Sequence, residues 1–454
     1  MIYLDAAEIA AKVAAGELRA EDVLDAHLAR IDELNPDLNA IVTLMPDRAM
    51  EQARDIDKRV AAGEAVGPLA GVTVGIKDII ETAGVRTTYA SPLFKDNIPD
   101  ADALTLARIK AADGIIVGKT NTPEFATGGN TNNALFGPTR NPWNTKLTPG
   151  GSTGGGGAGL AAGMFALALG TDLGGSLRLP AAFCGVVGIR QTPGLVPFEP
   201  NPAPFDLFEV QGPMARSAQD IALALSVLAA PDPGFPVGSH GAPDFTGETG
   251  PLRIGYVEDI SGVGIEADIA DTCRAAADAL GRHRVENPAL DLSEGRDAFT
   301  TLRGQWMVNK HLAILDRLDE MGENLAGNIR RGLAQSPTDI AEAEAVRARL
   351  WRRMADYFTR FDLLATPVTA VSPFPVEQNY PETINGAPMA SYIDWIAPTF
   401  VISLLGLPAL SVPAGLNKDG LPVGLQIIGP RYSESRMLGV AAEIQKAFPT
   451  VWPQ

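Results

Sequence analysis

The chain has 454 residues, of which 46% are hydrophobic and 20% charged, and 37 Lys and Arg residues against 54 Asp and Glu residues give a net charge of −17. This composition supplies a large apolar core and excludes a disordered chain, while the acidic balance disfavours nucleic acid as a ligand. No apolar run approaches the ~20 residues of a membrane span, and the N-terminus lacks the pattern of a signal peptide, so we expect a cytoplasmic protein without a membrane segment.

The first third of the chain alternates helical and strand patterns. Residues 5–8 resemble a capping box that begins a helix, a second amphipathic helix is predicted to end at Pro36, and a third covers residues 47–60. Short apolar runs that are typical of buried strands lie at residues 72–76, 115–117 and 186–189. A helix predicted at residues 103–110 between two of these runs indicates a parallel α/β layer.

The rest of the chain contains one loop-rich stretch, then helices, then strands. Residues 194–250 are rich in glycine, proline and serine, with one helix at 218–228. We predict strands at 252–257, 363–365, 409–412 and 423–428, and helices at 267–280, 298–318, 340–358 and 436–448. The last strands could rejoin the first sheet, which favours one domain over residues 1–454, with a helical insertion at about residues 260–360.

The segment 148–188 is the most informative part of the sequence. Its glycines surround two serines, Ser152 and Ser176, at positions where the backbone turns sharply or approaches another group closely. The apolar run 158–169 between them predicts a buried helix, so Ser152 would lie at a helix N-terminus and Ser176 in a later glycine turn. The alternative is that the glycines only allow close packing.

Two short motifs in this segment have other interpretations. Residues 150–154 match the G-x-S-x-G nucleophile elbow, and residues 154–159, followed by Asp172, match a dinucleotide-binding fingerprint. Both motifs require a preceding strand, whereas residues 141–149 have the composition of a loop. The elbow also requires a histidine that follows both the serine and the acid in the chain. The last histidine is His311, so the C-terminal part of the chain has none.

Other catalytic groups are scarce. Cys184 has the surroundings of a buried strand thiol, and no His, Cys or carboxylate cluster has the spacing of metal ligands, so we expect no metal and no cofactor. A buried lysine with a lowered pKa can replace histidine as a base, and Lys77 at the end of an apolar strand is the candidate. An ordinary strand-end lysine paired with Asp78 is the alternative.

Several ordered motifs together resemble the amidase signature family. They are Gly75-Ile-Lys77-Asp78, Gly118-Lys-Thr-Asn121, Phe136-Gly-Pro-Thr-Arg-Asn-Pro142, Pro149-Gly-Gly-Ser152, Gly170-Thr-Asp-Leu-Gly-Gly-Ser176, Gly406-Leu-Pro-Ala-Leu-Ser-Val-Pro413 and Gly420-Leu-Pro-Val-Gly-Leu-Gln-Ile-Ile-Gly429. The resemblance covers nearly the whole chain, with the core of the signature at about residues 70–195. It implies an α/β fold: a single α/β/α domain with a large mixed sheet covered by helices on both faces.

The resemblance also implies a Ser–cis-Ser–Lys triad that hydrolyses amides through an acyl-enzyme. Ser176 would be the nucleophile, Ser152 the bridging serine and Lys77 the base. The resemblance implies further roles by position. The oxyanion hole would be formed by the backbone N–H groups of Leu173, Gly174, Gly175 and Ser176. Substrate contacts would involve Ala126, Thr127 and Gly128, and the site would be supported by Thr153, Asp172 and Arg178.

Departures from the family pattern leave the substrate open. Thr153 stands where the family commonly has a second serine, and residues 154–157 are an uninterrupted glycine run. We expect a small-molecule carboxamide substrate, with esters or carbamates also considered, and we consider a homodimer as the assembly. The alternatives are a glutaminase-type subunit of a tRNA-dependent amidotransferase, which shares the triad, and the less favoured dinucleotide-binding protein.

Overall fold

The structure is a computed structural model that describes residues 1–238, 245–247 and 250–453. The strands within those residues are, in chain order, β1 (Ile41–Leu44), β2 (Thr73–Lys77), β3 (Ile115–Thr120), β4 (Leu167–Asp172), β5 (Val187–Arg190), β6 (Val210–Ala215), β7 (Arg253–Tyr256), β8 (Arg284–Glu286), β9 (Leu363–Pro367), β10 (Thr383–Ile384), β11 (Ala387–Pro388), β12 (Ala409–Leu416) and β13 (Pro422–Ile428). Eleven of these described strands form one mixed sheet, while β10 and β11 form a separate hairpin.

Helices flank this sheet and connect its strands. In chain order they are α1 (Ala6–Ala14), α2 (Ala20–Leu38), α3 (Pro46–Ala61), α4 (Leu104–Ala111), α5 (Gly154–Ala161), α6 (Arg178–Cys184), α7 (Ala218–Leu228), α8 (Ala267–Asp278), α9 (Gly295–Lys310), α10 (Glu323–Leu333), α11 (Pro337–Phe358), α12 (Ala397–Leu404) and α13 (Glu434–Ala447). Short 3₁₀ helices occupy Pro92–Phe94, Glu124–Ala126, Leu312–Glu320 and Asp394–Ile396. No helix of the described residues is both long and apolar enough to cross a membrane.

The strand order brings distant parts of the chain side by side. Across the sheet it runs β1-β3-β2-β4-β6-β5-β12-β13-β9-β7-β8. Strands β3, β2 and β4 are parallel, so their carboxyl ends meet at one edge of the sheet, and β6 and β5 continue the sheet in antiparallel pairs. The C-terminal strands β12 and β13 join β5, as the sequence suggested. The mixed α/β fold expected from the sequence is therefore confirmed.

Burial explains the apolar sequences of β2, β3 and β4, of which β2 and β3 were predicted as strands. Every residue of the three strands is buried, because neighbouring strands cover their edges and helices cover both faces. A strand buried on both faces gives a continuous apolar run in sequence instead of an alternating one. Such a strand can hold a lysine at its carboxyl end only if that lysine has polar partners inside the protein.

One prediction about the glycine-rich segment was wrong in a way that matters for the site. The run 158–169 is not a single helix: α5 ends at Ala161, and the residues from Leu167 onward form β4. A short buried apolar run carries no periodicity that separates helix from strand. As a result, Ser176 follows a strand and precedes α6, in a strand–turn–helix connection.

Several smaller expectations also need correction. Asp5 precedes α1 but makes no side-chain cap hydrogen bond, and α2 continues through Pro36 to Leu38. Cys184 ends helix α6 instead of lying in a strand, although it is buried as expected. The loop-rich stretch 194–250 also contains β6, and its residues 239–244 and 248–249 lie outside the described part of the chain. Residues 154–159 begin helix α5 without a preceding strand, so neither the elbow nor the dinucleotide motif has its required context.

Candidate active site

Lys77 is the last residue of β2 and lies inside the protein. Its side chain is fully buried, and Nζ donates hydrogen bonds to Ser152 Oγ at 2.6 Å and to Thr171 Oγ1 at 2.8 Å. Asp78, the partner expected of an ordinary strand-end lysine, instead accepts from the N–H of Thr88 at 3.2 Å and from its hydroxyl. Among the described residues, the lysine is therefore held by two hydroxyl groups and by no carboxylate hydrogen bond.

Burial lowers the pKa of the Lys77 ammonium to about 7, because desolvation disfavours its charged form. The carboxylates of Glu209 and Asp172 act in the opposite direction and raise this pKa, whereas the ammonium of Lys310 lowers it further. A lysine with a pKa near 7 is neutral in a large fraction of molecules at neutral pH. In that form its nitrogen has a free lone pair and can accept a proton.

Ser152 lies in the loop before α5, directly in front of Lys77. The Gly151–Ser152 peptide bond is cis, and a Cβ at Gly151 would lie about 3.0 Å from the backbone of Gly128 and Gly129. Glycine allows this close approach without displacing the neighbouring backbone. The next residue, Thr153, donates its N–H to the carbonyl oxygen of Ser176 at 3.1 Å, so the two serine-bearing loops are in direct contact.

Ser176 lies in the turn between β4 and α6. The preceding Gly175 has φ +129°, and a Cβ there would lie 2.4 Å from Thr399 Oγ1, so both its conformation and its surroundings require glycine. Ser176 is half-buried and lines the same cavity as Ser152 and Thr171. A hydroxyl at this position can meet a molecule bound in the cavity.

A buried ion pair holds the turn that carries Ser176. Arg178 donates to both carboxylate oxygens of Asp172, from Nη2 at 2.9 Å and from Nε at 3.0 Å, and both side chains are fully buried. The same carboxylate accepts the N–H of Gly175 at 2.9 Å and that of Leu177 at 3.2 Å. Burial raises the pKa of Asp172, but the charge of Arg178 outweighs it and keeps the pKa below its usual range.

This hydrogen bonding changes the expected set of oxyanion donors. The N–H of Gly175 is already bonded to Asp172, so its expected role as an oxyanion donor is not available in this structure. The N–H groups of Leu173, Gly174 and Ser176 have no acceptor among the described residues. These three groups remain as donors at the edge of the cavity.

The cavity in front of the serines has a volume of about 330 Å³ and a mainly apolar wall. Much of the wall is aromatic or aliphatic: Tyr89, Phe94, Phe125, Phe299, Trp306 and Ile393. Tyr89 and Phe125 are stacked with ring centroids 5.3 Å apart, and Phe94 contacts both rings edge-on. The cavity is suited to an apolar group next to a reacting polar one.

The other residues predicted for the site do not all line this cavity. Ala126 and Gly128, which were predicted to contact substrate, line this cavity. Thr127 lines a second cavity instead, and its hydroxyl donates to the Phe125 carbonyl at 3.3 Å. Thr153 is buried behind the serines, where its hydroxyl lies 3.4 Å from the carbonyl oxygen of Thr171. No group of three or more potential metal ligands occurs among the described residues.

Sequence reasoning missed several residues of the site. Thr171 is the second partner of Lys77, and its position in a buried strand next to Asp172 was the signal that could have identified it. Glu209 and Lys310 form an ion pair in the cavity wall, and Arg303 lines the same wall. Glu209 lies just before β6, and Arg303 and Lys310 lie on α9. Both elements are far from the glycine-rich segment in sequence, so no local pattern marked these three residues.

The chain is similar to known proteins over nearly its whole length. A family model described as Amidase matches residues 22–438. The chain is 36% identical over 489 residues to a glutamyl-tRNA(Gln) amidotransferase subunit of Streptomyces avermitilis, covering 100% of this chain and 96% of that protein. It is 32% identical over 458 residues to an acylamidase of Rhodococcus erythropolis, covering 98% and 96%.

Solved structures give the same result. A bacterial aryl acylamidase described as an amidase signature enzyme superposes with a TM-score of 0.92 at 30% identity, over 99% of this chain and 97% of that one. The corresponding glutamyl-tRNA(Gln) amidotransferase subunit of Thermotoga maritima superposes with a TM-score of 0.76 at 25% identity, over 100% and 98%.

Proposed function

The chain belongs to the amidase signature family, whose enzymes hydrolyse amides, and we propose that it is a serine amidase in which Ser176, Ser152 and Lys77 carry the reaction. The observation that carries this proposal is the 2.6 Å contact between Lys77 Nζ and Ser152 Oγ, behind a cavity that Ser176 also lines. The substrate is a small carboxamide, and the product is a carboxylic acid together with an amine or ammonia.

In the proposed reaction, neutral Lys77 accepts the proton of Ser152 while Ser152 accepts that of Ser176. The Ser176 oxygen attacks the amide carbonyl carbon and forms a tetrahedral oxyanion. The N–H groups of Leu173, Gly174 and Ser176 donate to this oxyanion; they act as fixed dipoles that need no reorganisation. Supporting this geometry, Asp172 fixes the turn by binding the neighbouring N–H groups of Gly175 and Leu177.

Collapse of the intermediate breaks the C–N bond, and the proton held by the lysine–serine pair returns to the leaving nitrogen. The acyl group stays on Ser176 as an ester until a water molecule attacks it by the same proton path. The acid is then released and Ser176 regains its proton. An ester or carbamate with the same acyl group would enter the reaction at the same step.

The apolar wall indicates the substrate class. Burial of an aromatic or alkyl group against Tyr89, Phe125 and Trp306 would supply binding free energy at about 25 cal/mol per Å² of apolar surface. We therefore expect amides with an aryl or alkyl group to be better substrates than formamide or acetamide. Ala126 and Gly128 would contact this group at the edge of the cavity.

A substrate panel tests the proposal. The purified chain is assayed with aliphatic amides, anilides, glutamine and carbamates, beside Ser176→Ala and Lys77→Met variants. We expect turnover of apolar amides by the wild type and a loss on the order of 10³-fold or more in both variants. If no member of the panel is hydrolysed, or if Ser176→Ala retains full activity, the proposal is wrong.

A glutaminase-type subunit of an amidotransferase is the second candidate, because the Streptomyces avermitilis relative of that description is 36% identical. The triad is the same in both candidates, so the two differ in substrate and in the need for a partner chain. Glutamine as the preferred substrate, or turnover only in the presence of such a partner, would favour this candidate. Efficient hydrolysis of anilides by the isolated chain would favour the amidase.

A cytoplasmic location and a homodimeric assembly remain predictions from the sequence.

A further inference from the structure

The charged side chains in the cavity wall are not all neutralised. Glu81 accepts a hydrogen bond from Tyr89 OH at 2.7 Å, and Glu209 is paired with Lys310. Arg303 also lines the cavity and is only 6% exposed, yet it has no carboxylate partner among the described residues. Its guanidinium is an uncompensated positive charge in the cavity wall, where a bound anion would supply the opposite charge.

Arg303 still has hydrogen-bond donors to offer. Its Nη2 donates to Tyr392 OH at 2.8 Å, and its guanidinium lies 5.7 Å from the centroid of that ring. Nε and Nη1 have no acceptor in the part of the chain that the structure describes. A guanidinium has five N–H donors in a planar fork, and the fork matches the two oxygens of a carboxylate.

The position of Arg303 is fixed relative to the reacting groups. It lies on α9 four residues after Phe299, which corresponds to about 6 Å along a helix. Phe299 Cζ lies 3.1 Å from the position of a Cβ at Gly174, in the loop proposed to hold the oxyanion. Phe299 therefore contacts the proposed reaction centre, and Arg303 lies one helical turn farther along the cavity.

The side chain is also held in place from behind. Asn328 on α10 donates from Nδ2 to Tyr392 OH at 2.7 Å, so the tyrosine hydroxyl is held between Asn328 and Arg303. Asn328 is itself buried and donates to the Asn324 carbonyl at 2.6 Å. An arginine oriented in this way loses little conformational freedom when an anion binds to it.

We propose that Arg303 is a specificity-determining residue that binds a carboxylate on the substrate, about one helical turn from the amide that is cleaved. The inference rests on the proposed amidase function and deepens it: the preferred substrates are apolar amides that carry a carboxylate on the acyl or the amine side. The apolar wall contacts the body of such a substrate, while Arg303 binds its charged end.

Matched substrate pairs test this proposal, because a nitro group is a neutral isostere of a carboxylate. 4-Carbamoylbenzoate is compared with 4-nitrobenzamide for the acyl side, and 4-acetamidobenzoate with 4-nitroacetanilide for the amine side. The measured quantity is the ratio of kcat/KM between the charged and the neutral member of each pair. We expect Arg303→Met to lower this ratio at least about 10-fold in one pair, since a charge-assisted hydrogen bond is lost.

Two controls accompany this comparison. Arg303→Lys keeps the charge but not the fork, and it should recover part of the ratio. Arg331→Met removes an exposed arginine of the neighbouring helix α10 and should leave the ratio unchanged. An unchanged ratio in Arg303→Met for both pairs, with active enzyme, would overturn the inference while leaving the amidase function intact.

A binding measurement separates failure of this inference from failure of the proposed function. Terephthalate is titrated by calorimetry into the Ser176→Ala variant and into the Ser176→Ala/Arg303→Met double variant. We expect binding to the first and a loss of at least about 10-fold in affinity for the second. Binding that depends on Arg303 supports the site even if no amide is hydrolysed. Equal affinity of both variants would contradict it.

Discussion

At the scale of single residues, the proposed chemistry depends on a lysine that the fold keeps away from water. Within the described chain, Lys77 has no carboxylate in hydrogen-bonding contact, and two hydroxyl groups bind its nitrogen. This arrangement favours the neutral amine over the ammonium, because hydroxyls cannot compensate a full buried charge. It also directs the nitrogen toward Ser152, which is the group from which it would take a proton.

The pH dependence of the reaction is the first prediction at this scale. The pKa of Lys77 is lowered to about 7, and the base works in its neutral form, so kcat/KM should rise through about pH 7. Glu209→Gln removes a carboxylate that raises this pKa and leaves the ammonium of Lys310, so the rising limb should move to lower pH. Lys310→Met should move it to higher pH. A flat profile in the wild type, or identical limbs in all three proteins, would contradict the lysine-base scheme.

Lys77 should also lower the stability of the protein. Its folded pKa of about 7 is below the 10.5 of an ordinary lysine, so between these values the unfolded chain binds more protons than the folded one. The cost is therefore largest at low pH and declines as the pH rises through that window. We expect Lys77→Met to raise Tm at pH 7 while abolishing turnover, and the gain in Tm should shrink toward about pH 10.

Lys119 provides the matched control for that variant. It is a buried lysine of the neighbouring strand β3, and burial lowers its pKa to about 8. Its Nζ donates to the Ile80 carbonyl and to the hydroxyls of Thr82 and Thr87, and it does not line the cavity. Lys119→Met should raise Tm less than Lys77→Met or lower it, because the pKa of Lys119 is lowered less and three hydrogen bonds are lost instead of two, and the folded protein should stay active. A lower Tm in Lys77→Met than in Lys119→Met would refute the expected difference.

The sequence indicated some residues of the site and could not indicate others. Local features, the glycine-rich turns and an apolar strand, marked Ser152, Ser176 and Lys77 as candidates, and the resemblance to the family gave them their roles. Glu209 and Arg303 lie in ordinary surroundings, and only the folded chain brings them to the cavity. Thr127 and Gly175 show the converse: both were predicted for the site, but Thr127 lines a second cavity and the N–H of Gly175 is bonded to Asp172.

At the scale of elements, the connection from β4 to α6 is the part that positions the proposed nucleophile. Asp172 ends the strand, Arg178 begins the helix, and their ion pair closes the turn between them. Arg178 Nη1 also donates to the Thr399 carbonyl at 3.0 Å and to Gln426 Oε1 at 2.7 Å, which ties the turn to α12 and β13. The turn is therefore supported by elements from the C-terminal part of the chain.

Removal of one partner of this pair should be costly. Arg178→Met removes the hydrogen-bonded counter-charge of the buried Asp172 carboxylate and leaves only Arg190, whose Nη1 lies 3.9 Å from Oδ1, so we expect the free energy of unfolding to fall by about 3 kcal/mol. Urea unfolding measures this change. Arg317, an exposed residue paired with Glu320 at 2.7 Å, is the control, and Arg317→Met should change stability little. Equal effects of the two substitutions would show that the buried pair does not hold the turn.

Element boundaries show where sequence patterns lose their information. The apolar run before Ser176 was predicted as one helix, whereas it contains the end of α5 and the start of β4. Helix α2 continues through Pro36 and ends before Asn39, which has the left-handed conformation at φ 51°. Amphipathic helices on the surface, such as α3 and α7, were predicted to within a residue or two because their period is visible.

At the scale of the whole molecule, one sheet assembles the site from distant segments. Strands β2 and β4 bring Lys77 and Thr171 together, and β6 adds Glu209 from just before its start. Helix α9 then closes the cavity with Phe299, Arg303 and Lys310. The mixed sheet was expected from the family resemblance, but its strand order was not, because pairing between distant strands leaves no local signature in the sequence.

The central claim is that Ser176 becomes acylated and that Ser152 only transfers protons. Its most direct test is labelling of the wild-type chain with a fluorophosphonate, in which the attacking serine oxygen displaces fluoride. Intact-mass measurement and peptide mapping then locate the adduct. We predict a single adduct on the peptide that carries Ser176, absent from Ser176→Ala and slower to form in Ser152→Ala. An adduct on Ser152 with none on Ser176 would contradict the account.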